Sequence, residues 1–204
     1  MTKETMYDEK YSDEDYYWGK RPSSSCFKVL KLKPPVEKLK LLAVGSEEGR
    51  NAIFFARNGY DVTAFDLSEE GVKKTKKFAT DVGVEVDVFT ADINDFRCEE
   101  HYDIIFSSAA LHYIPESLRE EILSDYKDHT NLGGINLNSV FVDIPFIEEA
   151  PDSEETAQKW ISGELMTYYH DWRIEWNVEE IFDCDSGGVP HRHAMNRIAA
   201  RKIL

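Results

Sequence analysis

The first segment whose residues could bind a ligand is a glycine-containing turn that follows an apolar run. Residues 40–44 (KLLAV) form the apolar run, Gly45 follows at once, and a helical pattern begins near Arg50. Such a strand-to-helix turn aims backbone N–H groups at the crevice beyond the strand, where open α/β sheets bind ligands. Because Gly45 and Gly49 are spaced G-x-x-x-G, the dinucleotide fingerprint G-x-G-x-x-G is not met. A plain turn, in which Gly45 serves only the backbone, also explains this segment.

Two aspartates follow the next two predicted strands. Asp66 ends the strand at residues 61–65, and Asp92 comes shortly after the strand at residues 85–90. A carboxylate at Asp66 can accept hydrogen bonds from both hydroxyls of a ribose, and one at Asp92 can accept from the exocyclic amine of adenine. Three strand ends with suitable groups therefore predict a nucleoside site.

The elements that must position these residues alternate between strand and helix patterns. Strands are predicted at residues 40–44, 61–65, 85–90, 102–106 and 135–142, and helices at residues 26–32, 50–57, 68–81, 116–128 and 162–169. This alternation predicts a parallel sheet covered on both faces. Residues 176–183 and 193–202 flank the turn signal at residues 185–188 and predict a terminal antiparallel hairpin. The expected fold is α/β: one domain over residues 1–204 with a doubly wound, mainly parallel seven-stranded sheet.

Composition limits the class of protein. The chain of 204 residues is 42% hydrophobic and 31% charged, which is typical of an ordinary folded domain. Its net charge of −15 disfavours nucleic acids and anionic membranes as partners. The polar start and the absence of a long apolar run predict a cytoplasmic location. Three scattered cysteines predict no disulfide framework, and the oligomeric state stays open.

Residues 49–66, which read GRNAIFFARNGYDVTAFD, resemble the tellurite-resistance branch of the class I methyltransferases. That family has GRN after its glycine loop, then a helix, an NGYDV-type turn and an acid. The resemblance continues at residues 102–115, at the glycine pair 133–134, at the GEL and YY-x-x-W letters of residues 163–172, and at the final ARK of residues 200–202. It covers most of the chain from about Val44, and a doubly wound, Rossmann-like sheet with a terminal hairpin is the class I architecture.

The resemblance implies S-adenosyl-L-methionine as the cofactor. Asp66 would hold the ribose, Asp92 and Ile93 the adenine, and Arg50 or the helix N-terminus would offset the carboxylate of the methionine part. Gly45 and Gly49 would line that part, with Ser107 and Leu111 as its wall. The expected cofactor-binding residues are Tyr17, Gly45, Gly49, Arg50, Asn51, Asp66, Leu67, Asp92, Ile93, Ser107 and Leu111.

The implied reaction is methyl transfer to a small acceptor, either a thiol or an oxyanion of selenium or tellurium. Displacement at a sulfonium methyl needs alignment and a dry pocket more than an acid or base, so no catalytic residue is assigned. His112 and His191 are candidates for the acceptor pocket, although histidines satisfied by local hydrogen bonds are the simpler interpretation. His191 and His193 share a strand face near Cys184, but this spacing matches no established zinc pattern, so no metal is expected.

Residues 1–22 are acidic and rich in tyrosine. Tyr7, Tyr11, Tyr16, Tyr17 and Trp18 could cover a sulfonium, because aromatic faces attract cations. We expect this segment to be either a lid over the cofactor or a mobile tail.

Two positions depart from the family pattern. Ala43 stands where the family usually has an acid, and Glu47 stands where it usually has a glycine. If Glu47 faces the site, its charge opposes the cofactor carboxylate; we expect it to face solvent. Two alternatives stay open, namely a degenerate protein that binds S-adenosylmethionine without turnover, and an NAD(P)-dependent oxidoreductase, which the missing third glycine disfavours.

Overall fold

Strands and helices alternate along the chain in the computed structural model, which describes residues 3–148, 157–185 and 188–204. The helices are α1 (Lys3–Tyr11), α2 (Ser24–Leu32), α3 (Arg50–Arg57), α4 (Glu69–Val82), α5 (Glu116–Asp128) and α6 (Glu164–Thr167), with a 3-10 turn at Leu111–Tyr113. The strands are β1 (Lys40–Val44), β2 (Asp61–Asp66), β3 (Asp87–Thr90), β4 (Tyr102–Ser108), β5 (Thr130–Asp143), β6 (Trp160–Ile161), β7 (Arg173–Cys184) and β8 (His191–Arg201).

The sheet has the strand order β3-β2-β1-β4-β5-β8-β7. Strands β1 to β5 run parallel, and β8 runs antiparallel to both of its neighbours. Val44 of β1 pairs with Phe65 of β2 and with Ser107 of β4, so the carboxyl ends of these three strands lie side by side. The strand order reverses between β1 and β4, which is the place where doubly wound sheets bind ligands.

The predicted fold class is confirmed, with differences in detail. Helix α1 was not predicted, and β3 and β7 begin at Asp87 and Arg173 rather than at residues 85 and 176. Beside the seven strands that were predicted, the sheet has the two-residue strand β6, which pairs with β5. The helix predicted at residues 162–169 is a single turn, because Tyr169 instead turns into the core, where its hydroxyl accepts a hydrogen bond from Asn138 Nδ2 at 2.7 Å. Strand β5 starts at Thr130 and includes the glycine pair, next to a register shift opposite β4. The predicted hairpin turn includes residues 186 and 187, which lie outside the described residues.

Apolar side chains alternate between the two faces of the sheet. Leu42 and Val44 of β1 belong to the cluster that packs under α5, whereas Leu41 and Ala43 belong to the cluster under α2 and α3. Alternation with burial on both faces is what a doubly wound sheet requires. Within the described ranges, no helix is long and apolar enough to cross a membrane.

Helix α1 packs on the start of α4. The predicted N-cap residue, Ser68, accepts a hydrogen bond from Gly71 N–H at 3.0 Å, and its own hydroxyl donates to Asp8 Oδ1 at 2.6 Å. Asp8 Oδ1 also accepts from Glu70 N–H at 3.2 Å, so α1 supplies a second cap to α4. Tyr11, at the end of α1, is 2% exposed.

Arg119 of α5 fixes the chain around β6. Its side chain is 3% exposed and donates to Glu164 Oε1 at 2.6 Å and to the Lys159 carbonyl at 3.0 Å. The guanidinium also lies 4.1 Å from the ring centroid of Trp160. Because Arg119 is buried away from water, its positive charge is stabilised by these partners and not by solvent.

Replacing Glu164 with Ala should therefore lower the free energy of unfolding by about 3–5 kcal/mol, since it leaves a buried charge without its counterion. The control is Asp171→Ala, which removes the half-exposed carboxylate that accepts from Lys127 Nζ at 2.6 Å and should cost about 1 kcal/mol or less. Urea unfolding followed by circular dichroism measures both. Equal losses in the two variants would contradict the role given to Arg119.

Candidate functional site

A cavity of about 700 Å³ opens at the carboxyl edge of the parallel strands. One side is formed by the glycine turn after β1 and by the residues after β2 and β3, and the opposite side by β5 and the β7–β8 hairpin. The start of the chain lies across a third side. This volume falls within the range of pockets that hold a cofactor or another small molecule.

Asp66 lies at the centre of the first side. Its carboxylate accepts from Glu47 N–H at 2.7 Å and from Ser68 N–H at 3.0 Å, and its side chain is nearly buried. Burial raises the pKa of Asp66 to about 6, and the two N–H donors oppose that shift. Each carboxylate oxygen has a second lone pair, so both can accept a further hydrogen bond from a ligand hydroxyl.

The two glycines of the turn have different roles. Gly45 has φ +62° and lines the cavity, and a Cβ on it would lie 2.4 Å from the Cβ of Ala110. Gly49 has φ +90°, and a Cβ there would lie 2.7 Å from Thr75 of α4. Gly45 therefore allows Ala110 to approach the turn closely beside the cavity. Gly49 allows α4 to pack closely against the turn.

Glu47 does not face solvent, so that expectation was wrong. Its side chain is 16% exposed, lines the cavity and accepts from Arg50 Nε at 2.9 Å and from Arg50 Nη2 at 3.4 Å. The cause is the backbone: Glu47 has φ +56° and its N–H is bound by Asp66, which turns the side chain back along the loop. Burial raises the pKa of Glu47 to about 7, although Arg50 lowers it in part.

The ion pair between Glu47 and Arg50 changes the expectation for Arg50. That residue was expected to offset the carboxylate of the cofactor. Arg50 does line the cavity, but its guanidinium already binds a carboxylate of the chain itself. Ala43, the other departure from the family pattern, is 2% exposed within the core and does not line the cavity.

Asp92 and its neighbours form the side beyond β3. Asp92 Oδ1 accepts from Asn94 N–H at 2.8 Å and from Asn94 Nδ2 at 2.9 Å, which fixes the carboxylate at the cavity wall. Ile93 adds an apolar surface beside it, and Leu67 follows Asp66 along the same wall. Apolar side chains next to a fixed acceptor suit a purine base.

The start of the chain covers the cavity near Arg50. Trp18 Nε1 donates to the Tyr11 hydroxyl at 3.1 Å, and Arg50 Nη1 donates to the Trp18 carbonyl at 3.2 Å. The hydroxyl of Tyr7 hydrogen-bonds to that of Tyr113, in the loop after β4. The pKa of Tyr11 is raised far above its ordinary value, first by burial and then by the nearby carboxylates of Asp66 and Glu47.

The structure brings most of the expected residues together. Those that line the cavity are Tyr17, Gly45, Arg50, Asp66, Leu67, Asp92, Ile93 and His112, and those that do not are Gly49, Asn51, Ser107, Leu111 and His191. Asn51 is engaged elsewhere, since its Oδ1 accepts from Ser23 N–H at 2.9 Å and from Cys26 Sγ at 3.2 Å. Ser107 and Leu111 are fully buried, and the next residue in β4, Ser108, takes the place expected for Ser107.

Sequence analysis predicted the hairpin and named His191 in it as an acceptor-pocket candidate, but it did not predict the wall that β5, β7 and β8 form. Its residues include Phe141, Phe182, His193, Met195 and Arg197. Phe182 pairs with His193 across the hairpin, and the ring of His193 lies 4.9 Å from that of Phe141. The hairpin register would have been the signal, but a one-residue uncertainty in register reverses the faces of a strand.

Comparisons with known proteins identify the family. The model of the family described as tellurite resistance protein TehB matches residues 6–197. The chain belongs to the TehB family. A TehB of Haemophilus influenzae named "Probable S-adenosyl-L-methionine-dependent methyltransferase TehB" is 25% identical over 197 residues, which cover 94% of this chain and 68% of the relative.

Solved structures agree on the fold. The crystal structure of TehB from Haemophilus influenzae matches with a TM-score of 0.79 and 24% identity, over 98% of this chain and 67% of that one. An S-adenosylmethionine-dependent methyltransferase from Methanosarcina mazei matches with a TM-score of 0.67 and 17% identity, over 90% and 99% of the two chains. The expected TehB branch and class I fold are confirmed, and the chain spans about two thirds of the length of the Haemophilus proteins.

In this TehB-family chain, Glu47 should make stability depend on pH. Because folding raises its pKa from 4.5 to about 7, its contribution is complete below pH 4.5 and is lost as the pH rises through about 7. Relative to Glu47→Gln, the wild type should therefore lose about 3 kcal/mol of unfolding free energy between about pH 4.5 and pH 8. Denaturant melts across that range provide the measurement. Glu99→Gln, at an exposed position, should track the wild type; a Glu47→Gln curve parallel to the wild type would refute the burial of Glu47.

Proposed function

We propose that this chain transfers a methyl group from S-adenosyl-L-methionine to a small acceptor bound beside the β7–β8 hairpin. The methyltransferase class and the cofactor follow from membership of the TehB family. The observation that carries the proposal for the site is the buried Asp66 carboxylate, which lies beside the glycine turn and faces a cavity of cofactor size.

The residues present fit this cofactor. Asp66 would accept from the ribose hydroxyls, Asp92 from the adenine amine, and Ile93 would pack against the ring. The methionine part would lie beside Gly45, which lines the cavity, with Arg50 next to it. When bound, the cofactor supplies an electrophilic methyl group on a positively charged sulfur.

The start of the chain serves as a lid in this proposal. Contacts of Tyr7 with Tyr113 and of Trp18 with Arg50 and Tyr11 hold the segment across the cavity. The segment would exclude water from the methyl group and offer aromatic faces and hydroxyls to a cation. Entry of the cofactor then requires these few contacts to open.

The acceptor would bind at the wall that includes His112, His193, Met195 and Arg197. Imidazole and thioether groups suit a small, soft acceptor, such as a thiolate or an oxyanion of selenium or tellurium, and the Arg197 guanidinium, which already pairs with Glu180, adds positive charge to the wall. His191 does not line the cavity, but its Nε2 contacts His193 Nε2 at 2.9 Å. Displacement at the methyl group then depends on alignment, so the walls position the acceptor and no base is assigned.

One observation favours the second candidate, a protein that binds S-adenosylmethionine weakly and does not turn over. The Arg50 guanidinium already binds the Glu47 carboxylate. A cofactor carboxylate must therefore compete with Glu47 for Arg50 or lie close to the negative charge of Glu47. Glu47→Gly should therefore tighten binding of S-adenosylmethionine by about fivefold, the equivalent of about 1 kcal/mol of relieved repulsion. Isothermal calorimetry provides the test, with Glu99→Gly as the control; unchanged or weaker binding in Glu47→Gly would contradict this role.

The experiment for the function combines calorimetry with a methyl-transfer assay. The wild type should bind one S-adenosylmethionine and move its labelled methyl group to at least one of a small thiol, selenite or tellurite. Asp66→Asn should weaken cofactor binding by about tenfold or more, because it removes a charge-assisted acceptor worth about 1.5–3 kcal/mol. Asp61→Asn, at the exposed start of the same strand, should bind like the wild type.

Three outcomes separate the candidates. Binding without transfer to any acceptor would favour the degenerate protein. Stabilisation by NAD(P) in place of S-adenosylmethionine, seen as a rise in Tm, would favour an oxidoreductase. Equal affinity of wild type and Asp66→Asn would remove Asp66 from the site.

A further inference from the structure

Three donor side chains converge at the turn end of the β7–β8 hairpin. Sγ of Cys184 and one imidazole nitrogen each of His191 and His193 lie within 4.8 Å of one another. We propose that these residues bind a divalent transition-metal ion of the zinc class at the edge of the cavity. All three side chains are half-buried, so the site is accessible to a metal ion from solvent.

The hairpin register creates this cluster. Cys184 of β7 lies directly opposite His191 of β8, and His193 follows two residues later. Residues opposite each other in an antiparallel pair share a face, as do residues two apart in one strand. The donors therefore meet through strand pairing, which explains why their spacing in sequence resembles no zinc motif.

The two imidazoles are oriented as metal ligands are. His191 Nδ1 lies 2.6 Å from the Val189 carbonyl, which can only accept, so Nδ1 carries the proton and Nε2 of the neutral ring has its lone pair directed away. Because the His191 proton is on Nδ1, His191 Nε2 accepts from His193 Nε2–H at 2.9 Å, and metal binding requires His193 to shift or lose that proton. A tetrahedral ion bound to both would need the two nitrogens about 3.3 Å apart, which follows from metal–nitrogen bonds of about 2.0–2.1 Å. A small rotation of either ring is sufficient.

The surroundings limit the rearrangement that binding requires. The ring of His193 lies 4.9 Å from that of Phe141 and 5.7 Å from that of Phe182, so aromatic packing on two sides positions the imidazole. A net charge of −15 for the whole chain also favours cations near its surface.

The donor set indicates both the type of metal and an open position. One thiolate and two imidazoles suit zinc, and also cobalt as its spectroscopic substitute. Three protein ligands leave the fourth tetrahedral position for water or another ligand. Since Cys184 and His193 also line the cavity, that position opens towards it. A thiol acceptor could then bind as a thiolate; this last consequence rests on the proposed function, whereas the metal site does not.

The test uses the full chain, freed of metal with a chelator and then titrated with Co²⁺ under ultraviolet and visible absorption. We expect one equivalent to bind, with a thiolate-to-cobalt charge-transfer band that Zn²⁺ abolishes by displacement. Cys184→Ser should lose this band and weaken Zn²⁺ binding by at least about tenfold in calorimetry, and His193→Ala should also weaken Zn²⁺ binding. Circular dichroism verifies that each variant is folded.

Matched controls lie outside the cluster. Cys26→Ser changes a buried thiol near Asn51, and His170→Ala removes an exposed histidine whose Nδ1 contacts the Thr167 carbonyl. Both should bind Co²⁺ as the wild type does. A second group of donors, formed by Cys98, Asp125 and His129, is tested with Cys98→Ser.

A wild type that binds no Co²⁺ at one equivalent would overturn the proposal, as would a band that persists in Cys184→Ser or disappears in Cys98→Ser. Addition of a small thiol to the cobalt form should change its spectrum, and an unchanged spectrum would refute the open position. Because none of these readouts needs S-adenosylmethionine, failure of the metal site and failure of the methyltransferase proposal can be told apart.

Discussion

The hydrogen bonds of Asp66 connect three strand ends. Its carboxylate holds the N–H of Glu47 in the turn after β1 and the N–H of Ser68 at the start of α4, and its carbonyl accepts from Ala91 N–H, just after β3, at 3.0 Å. The geometry of the first side of the cavity therefore depends on one buried acid. Burial raises its pKa, since two N–H donors only partly replace water, and a ligand with two hydroxyls would complete its hydrogen bonding.

The third side of the cavity depends on contacts made by the start of the chain. Asp8 extends the cap of α4, Tyr11 packs beside the turn, and Trp18 accepts from Arg50. The same Arg50 binds Glu47, so the covering segment and the turn share one cation. A ligand carboxylate that reaches Arg50 would thus perturb both, which couples occupation of the cavity to the position of the covering segment.

Local sequence patterns were sufficient to predict much of the fold and part of the site. Apolar runs that end in Gly45, Asp66 and Asp92 predicted strands, and parallel strands necessarily place these ends on one edge. The side chain of Glu47 could not be predicted, because its direction follows from a left-handed backbone and a bond to Asp66. Ser107 was placed one residue off for a related reason: neighbouring strand residues point to opposite sides. The wall around His193 depends on the exact register of the β7–β8 hairpin and on the pairing of β8 with distant β5, and a short sequence pattern contains neither.

The role of Asp66 in cofactor binding is tested by a crystal structure of the chain with S-adenosylhomocysteine, the product left after methyl transfer. We expect electron density in the cavity beside Gly45, with both ribose hydroxyls donating to the Asp66 carboxylate, the adenine amine donating to Asp92 and the adenine ring against Ile93. Density at that place with the ribose turned away from Asp66, or no density at saturating ligand, would contradict it.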